Sequence, residues 1–168
     1  MRDPFSNPAF SRRQEQYART FRIPSVYTPQ LVVDGRTETV GNDEKAVHRA
    51  IRNSAREQKA DIQIQTLPAS VEVSVGTEFD DAVVMLASAD SSVAVSKVVR
   101  GENAGRELRH VAVIRSLKEI GVVTKGKPFR VTVPVAEGTG QKRWIAFMQQ
   151  KQQGRILAVA TNMSSEAK

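Results

Sequence analysis

The stretch of sequence that decides the fold is residues 26–41, which read VYTPQLVVDGRTETVG. At its centre, Asp34-Gly35 is a strong hairpin signal, because a tight turn between antiparallel strands needs positive φ at both central residues. The turn joins a predicted strand at about 30–33 to a second one at about 37–40. Thr28 precedes a proline, which favours extended backbone at Thr28. The stretch therefore predicts a β-hairpin that begins directly after Thr28-Pro29.

A helix is predicted on each side of this hairpin. Before it, Asn7 is a good N-cap, Pro8 suits the first helical position, and Pro24 limits how far the helix extends. After it, Asn42 or Asp43 caps a second helix. The second helix carries a basic face formed by Lys45, Arg49, Arg52, Arg56 and Lys59. This face could contact phosphate, but a solvated face is the favoured interpretation.

From about residue 61 the apolar residues alternate with polar ones, which is typical of strands. Strands are predicted at about 62–65, 71–75, 82–87, 93–99, 111–117, 129–133, 143–148 and 156–161. Short strands at this spacing indicate an antiparallel sandwich or barrel. The predicted fold class is therefore α+β: a helix–hairpin–helix unit at 1–60, an antiparallel β-sandwich-like domain at 61–163 that holds most of the core, and a flexible tail at 164–168.

The composition excludes several functions. The 168 residues include no cysteine, so the chain has no disulfide, no thiolate nucleophile and no Cys-ligated zinc. The net charge of +7 fits either an anionic partner or an evenly basic surface, and the scattered cations favour the second. No apolar run approaches the roughly 18 residues of a membrane span. The sequence from Met1 shows no signal peptide, so the chain would be cytoplasmic as written, and the sequence leaves its localisation undetermined.

Four segments carry a resemblance to a known family: RDPFS at 2–6, YTPQLVVDG at 27–35, GREL at 105–108 and GRIL at 154–157. They resemble the domain-of-unknown-function family 1223, whose members are secreted or periplasmic thioredoxin-like proteins. The resemblance implies that residues 1–60 are the C-terminal half of a thioredoxin-like domain. In that fold the proline is cis and the preceding residue offers its backbone to a substrate chain. Thr28 and Pro29 are accordingly predicted to contact a peptide, although Pro29 could merely begin a strand.

The chain departs from this family pattern at its start. Family members carry an export signal and a Cys-Ser-Ser-Cys-Pro segment, and the resemblance therefore implies an N-terminally truncated member without redox cysteines. No catalytic, cofactor-binding or metal-binding residue is carried over. The strand at 30–33 is then expected to have a free edge that pairs with a protein partner or a second copy. The half-domain is expected to be loosely ordered or to be completed by a second chain.

For the other candidate residues, a structural or solvent-exposed role is the favoured interpretation. Glu78 and Asp80-Asp81 are typical of solvated turn carboxylates, and His48 and His110 lack further ligands at metal spacing. Trp144 is predicted to be a core residue. Four further segments lack the context of a nucleophile or a phosphate loop: Ser91-Ser92, Ser164-Ser165, Gly101–Gly105 and Gly138-Thr139-Gly140.

The predicted function is that of a non-catalytic binding or structural protein with protein partners and no cofactor. One alternative is a redox-associated protein that is completed in trans by a separate Cys-bearing N-terminal segment. The other is a basic nucleic-acid-binding module, which the aromatic content of 5% makes unlikely because such modules stack bases on exposed aromatic rings.

Overall fold

A computed structural model describes residues 7–79, 81–97, 105, 107–135 and 142–162. The elements are α1 (Pro8–Phe21), β1 (Gln30–Val33), β2 (Thr37–Val40), α2 (Glu44–Ser54), β3 (Ile62–Leu67), β4 (Ser70–Val75), β5 (Ala82–Asp90), β6 (Ala94–Lys97), β7 (Glu107–His110), β8 (Ile114–Val123), β9 (Phe129–Pro134), β10 (Lys142–Gln149) and β11 (Ile156–Thr161). A short 3₁₀ turn at Lys151–Gln153 separates β10 from β11. The predicted α+β class is confirmed.

Both helices begin at residues that the sequence marks as caps. The side-chain oxygen of Asn7 accepts a hydrogen bond from the Ala9 N–H at 2.9 Å, and that of Asp43 accepts one from the Ala46 N–H at 2.9 Å. These bonds satisfy backbone donors that have no partner within the helix. α1 ends at Arg22, whose φ of 57° turns the chain out of the helix before Pro24.

The hairpin forms as its sequence predicts. Asp34 and Gly35 have φ of 58° and 67°, and the Arg36 N–H donates to the Val33 carbonyl at 3.1 Å. Positive φ at both central residues gives the turn a twist that matches the two strands. β1 and β2 pair antiparallel over the predicted bounds.

The strands after residue 61 form two larger antiparallel sheets. One has the order β11-β10-β5-β8 and the other the order β3-β4-β9, while β6 and β7 form a separate hairpin. β3 contacts both β10 and β11, and β8 contacts β9, so the two sheets lie against each other. One core cluster contains residues of both sheets: Ile62, Val71, Val73, Val75, Ala82, Val84, Leu86, Val123, Ala146, Met148 and Ala158.

The predicted bounds of the strand at 111–117 are wrong. Ala112 has φ of 53°, which no strand residue adopts, and Val111 beside it is 72% exposed. β8 instead starts at Ile114 and continues to Val123, through the charged pair Lys118-Glu119 that obscures it in the sequence. β7 precedes it as a strand that the sequence analysis did not predict.

The helices and the first hairpin contribute little to the core. Of the sixteen buried apolar residues in the described part of the chain, Tyr17, Ala18 and Ala50 belong to them, and the strands after residue 61 hold the rest. The helix–hairpin–helix unit therefore depends on contacts with the sheets. A boundary between two domains at residue 60 stays a prediction. Among the described residues, no helix has the length and apolar character to cross a bilayer.

Candidate functional site

One edge of the first hairpin, here called the open edge, has no strand beside it in the described part of the chain. The Pro29 carbonyl accepts a hydrogen bond from the Gly41 N–H at 2.8 Å. Bonding directions alternate along an antiparallel strand, so the backbone groups two and four residues further along β1 also face β2. The N–H and C=O groups of Gln30 and Val32 therefore point to the opposite edge. Among the described residues, β1 pairs with β2 alone.

The open edge combines polar backbone with half-buried side chains. All four residues of β1 are half-buried. The side-chain nitrogen of Gln30 is buried and has no hydrogen-bond partner within the described ranges. A row of unpaired N–H and C=O groups is a template on which another extended chain can pair. The chemistry that this arrangement supports is main-chain recognition of a protein segment.

Thr28 and Pro29 lie directly before this edge. Both are exposed, and the peptide bond between them is cis. Tyr27, the residue before Thr28, is fixed by two hydrogen bonds. Its carbonyl accepts one from Gln14 of α1 at 2.9 Å, and its hydroxyl donates one to Glu38 of β2. The hydrogen bond to Glu38 raises the pKa of the Tyr27 phenol. That Thr28 and Pro29 contact a peptide stays a prediction.

The turn of the hairpin is fixed on the connection between β10 and β11. The Ile156 N–H donates to the Asp34 carbonyl at 2.9 Å. A Cβ on Gly35 would lie 2.1 Å from the Gly154 carbonyl oxygen, so this close approach requires a glycine.

Charged side chains reinforce the same junction. Lys59, just after α2, pairs with the nearly buried carboxylate of Asp34. Glu57 bridges two cations: Arg36 of the hairpin turn and Arg155 of the β10–β11 connection, the latter at 2.5 Å. These contacts join three separate segments, so the open edge is presented on a fixed platform rather than on a free hairpin.

The carboxylates and histidines singled out in the sequence do not come together. Glu78 is exposed, and Asp81 is exposed and accepts the Lys125 backbone N–H at 3.1 Å. His48 lies on the exposed face of α2, 3.6 Å from Glu44. Within the described ranges, no group of three His, Cys, Asp or Glu residues could hold a metal ion.

The remaining candidate residues from the sequence lie in strands, in turns or outside the residues that the structure describes. His110 ends β7 opposite Ala94. Trp144 is half-buried and packs against the core cluster, as predicted. Ser91-Ser92 form an exposed bend. The positions outside the described residues are Asp80, Gly101–Ala104, Gly138-Thr139-Gly140 and Ser164-Ser165.

Sequence reasoning missed the polar contact that attaches α1. Gln149, at the end of β10, is 2% exposed. Its side-chain oxygen accepts a hydrogen bond from Arg13 at 2.6 Å, while its nitrogen donates to the Tyr17 hydroxyl at 2.9 Å and to the Gly154 carbonyl at 2.8 Å. The surrounding sequence, QQKQQG at 149–154, is typical of a solvated turn and gives no signal of this burial.

The fold and the site define an α+β protein with two larger antiparallel sheets that share one core, and with an attached hairpin that has one edge unpaired among the described residues. The family model described as "Protein of unknown function (DUF1223)" matches residues 2–149, and the chain belongs to this family.

The chain is also similar to a structural-genomics crystal structure of an Agrobacterium tumefaciens protein, with a TM-score of 0.74 and 17% identity, over 99% of this chain and 75% of that one. At this identity the likeness shows the fold alone. No curated protein matches the chain.

Proposed function

We propose that this chain is a non-catalytic binding protein that accepts an extended protein segment along the open edge of β1. The observation that carries the proposal is the outward direction of the Gln30 and Val32 backbone groups, which have no strand beside them in the described part of the chain. A segment that pairs there gains main-chain hydrogen bonds at both residues. Thr28 and Pro29, exposed just before β1, would contact the same segment.

The fixed platform supports this function. A strand adds with less loss of conformational entropy when the receiving edge is already held in one geometry. The Asp34–Lys59 pair and the close contact of Gly35 with Gly154 hold the far end of β1 in this way. The occupant is a second copy of the chain or a different protein. A separate segment that carries a cysteine pair would be one such occupant, and it would make the complex redox-active.

A nucleic-acid interface has less support. Single-stranded nucleic acid binds where bases stack on exposed aromatic rings. Each aromatic side chain in the described ranges is buried or half-buried. The basic face of α2 thus has no exposed aromatic ring to stack bases on among the residues that the structure describes.

Residue-resolved hydrogen exchange tests the proposal. In the dilute chain, the amides of Gln30 and Val32 should exchange quickly, because no described strand pairs with them, while that of Leu31 should exchange slowly because it bonds to β2. Adding a short synthetic peptide of alternating threonine and valine, or concentrating the chain, should slow exchange at Gln30 and Val32. Slow exchange at both residues in a chain shown by sedimentation to be monomeric would mean that the edge is already covered.

A matched pair of variants separates edge pairing from hairpin stability. Val32→Pro removes an outward N–H, a change that edge strands tolerate, and should abolish the peptide-induced protection at Gln30 while Leu31 stays slow. Leu31→Pro removes an N–H that faces β2 and should instead open the hairpin. Unchanged peptide binding in Val32→Pro would contradict the proposal.

A further inference from the structure

A concave surface separate from the β1 edge lies beside the β10–β11 connection. It is a cleft of about 590 Å³ between α1 and the turn after β10, with Val83 and Met85 of β5 at its floor. Small-molecule and peptide sites have volumes of this order. The cleft does not include the open edge of β1.

The charged groups of the cleft are mostly cations. Arg13, Arg19 and Lys151 line it, against the single carboxylate of Glu119. The charged groups of Arg19 and Lys151 are exposed and have no partner within the described ranges. Cations in this position favour a carboxylate ligand, since charge-assisted hydrogen bonds are the strongest that side chains make.

The remaining polar groups of the cleft are glutamine amides. They come from Gln16 of α1 and from the residues at 149, 150, 152 and 153. The Gln149 amide is already bonded to Arg13, Tyr17 and Gly154, and the Gln150 oxygen accepts the Arg155 N–H. The amides of Gln16, Gln152 and Gln153 each offer a donor and an acceptor, which matches the alternating N–H and C=O groups of a peptide backbone. The side-chain oxygen of Gln153 is buried without a hydrogen-bond partner among the described residues, and so an acceptor is left for a ligand N–H.

The backbone of the turn adds a further observation. Gln152 and Gln153 both have positive φ, 58° and 55°. Consecutive non-glycine residues rarely adopt this conformation, which costs about 1 kcal/mol or more at each position and is commonest at functional sites. Here it places two glutamine residues on the wall of the cleft.

We propose that this cleft binds an acidic peptide segment, with its carboxylates at Arg19 and Lys151 and its backbone amides at Gln16 and Gln153. The apolar floor accommodates the methylene groups of the bound side chains. The binding does not depend on the edge of β1, so the two proposals can fail separately.

Calorimetry and NMR on the full chain test this proposal. The probe is an acetylated and amidated Glu-Glu-Gly-Glu-Glu peptide. It should bind with an affinity that falls as salt rises, and it should shift the side-chain amide signals of Gln16 and Gln153. Arg19→Gln and Lys151→Gln should each weaken binding about tenfold. The matched control is Arg52→Gln on the exposed face of α2, which removes the same charge and should leave affinity within about twofold.

Three outcomes would overturn the proposal. One is the absence of binding at millimolar peptide. Another is an equal loss in Arg52→Gln, which would show attraction to net charge alone. The last is citrate binding as tightly as the peptide, which would assign the cleft to small polycarboxylates. Circular dichroism of each variant confirms that a loss of binding is not a loss of fold.

Discussion

At the end of β10, the amide of Gln149 is almost fully buried and still finds partners for both of its polar atoms. Buried polar groups are destabilising unless they are hydrogen-bonded, and here the bonds also determine where α1 rests. Arg13 adds to the contact, since its guanidinium lies 5.2 Å from the Tyr17 ring centre and 5.8 Å from that of Phe147. Gln149 thus connects α1, β10 and the turn at Gly154.

Replacing Gln149 should destabilise the fold. Gln149→Ala leaves Tyr17, Arg13 and Gly154 without their buried partner and should lower the free energy of unfolding by about 2 to 4 kcal/mol. Urea denaturation measures the change. Gln63→Ala on β3, where the side chain is exposed, is the control and should change the free energy by less than about 0.5 kcal/mol. Similar values for both variants would show that the Gln149 contacts contribute nothing.

A second residue-scale prediction concerns pH. Hydrogen bonds from Arg115, at 2.5 to 2.9 Å, lower the pKa of Asp90. A lowered folded-state pKa stabilises the fold above the unfolded value of about 3.9, and this contribution is lost as pH falls through the folded-state pKa. NMR titration should show Asp90 titrating below its ordinary range and moving upward in Arg115→Gln. An unchanged titration in the variant would contradict the assignment.

Residues whose partners are close in the chain could be predicted from the sequence, and residues with distant partners could not. Asn7 and Asp43 cap helices through bonds to residues two and three positions away, so local chemistry is sufficient. Gln149 bonds to Arg13 across 136 positions, and no local pattern contains that pairing. The same holds for the candidate site: Thr28 and Pro29 could be located in the sequence, whereas the platform that holds β1 could not.

The first hairpin shows the same rule for whole elements. Its turn requires positive φ, and Asp-Gly supplies this locally, so both strands were predicted within their observed bounds. β8 differs, because its start is determined by the left-handed conformation of Ala112, for which alanine gives no sequence signal. Its continuation past Leu117 is paired with β5 despite the charges at Lys118 and Glu119.

The close contact between the hairpin turn and Gly154 can be tested by replacing Gly35. Gly35→Ala adds a Cβ that meets the Gly154 carbonyl at 2.1 Å and also strains φ of 67°. It should lower the free energy of unfolding by about 2 to 4 kcal/mol. Gly126→Ala is the matched control, since its φ is 76° and no atom lies within 4 Å of the added Cβ. The control should lose only about 1 kcal/mol, and equal losses would mean that the close approach is absent.

For the whole molecule, the distribution of the core matters most. Among the described residues outside the strands after residue 61, only Tyr17, Ala18 and Ala50 are buried apolar residues, so the helix–hairpin–helix unit has too little apolar burial to offset the entropy of folding. Charge pairs such as Lys59 with Asp34, and the Gln149 contacts, attach it to the sheets instead. Its order therefore depends on the rest of the molecule.

This dependence gives a prediction for a fragment. Residues 1–60 alone should show the circular dichroism of an unfolded chain, while the full chain should unfold in one cooperative transition that includes the helical signal. Two well-separated transitions in the full chain, with a folded fragment 1–60, would instead support the sequence-based division at residue 60.

The turn from Gln149 to Gly154 contacts both proposed binding surfaces. It lines the cleft, and at Gly154 it packs against Gly35 at the tip of the first hairpin. Two ligands that bind on either side of one shared turn affect each other's affinity only where binding shifts that turn, and any such effect is reciprocal. If an acidic peptide in the cleft changes the affinity of the β1 edge by some factor, an added strand changes the affinity of the cleft by the same factor. The turn would then make the molecule an allosteric adaptor, in which occupancy of one surface is reported at the other.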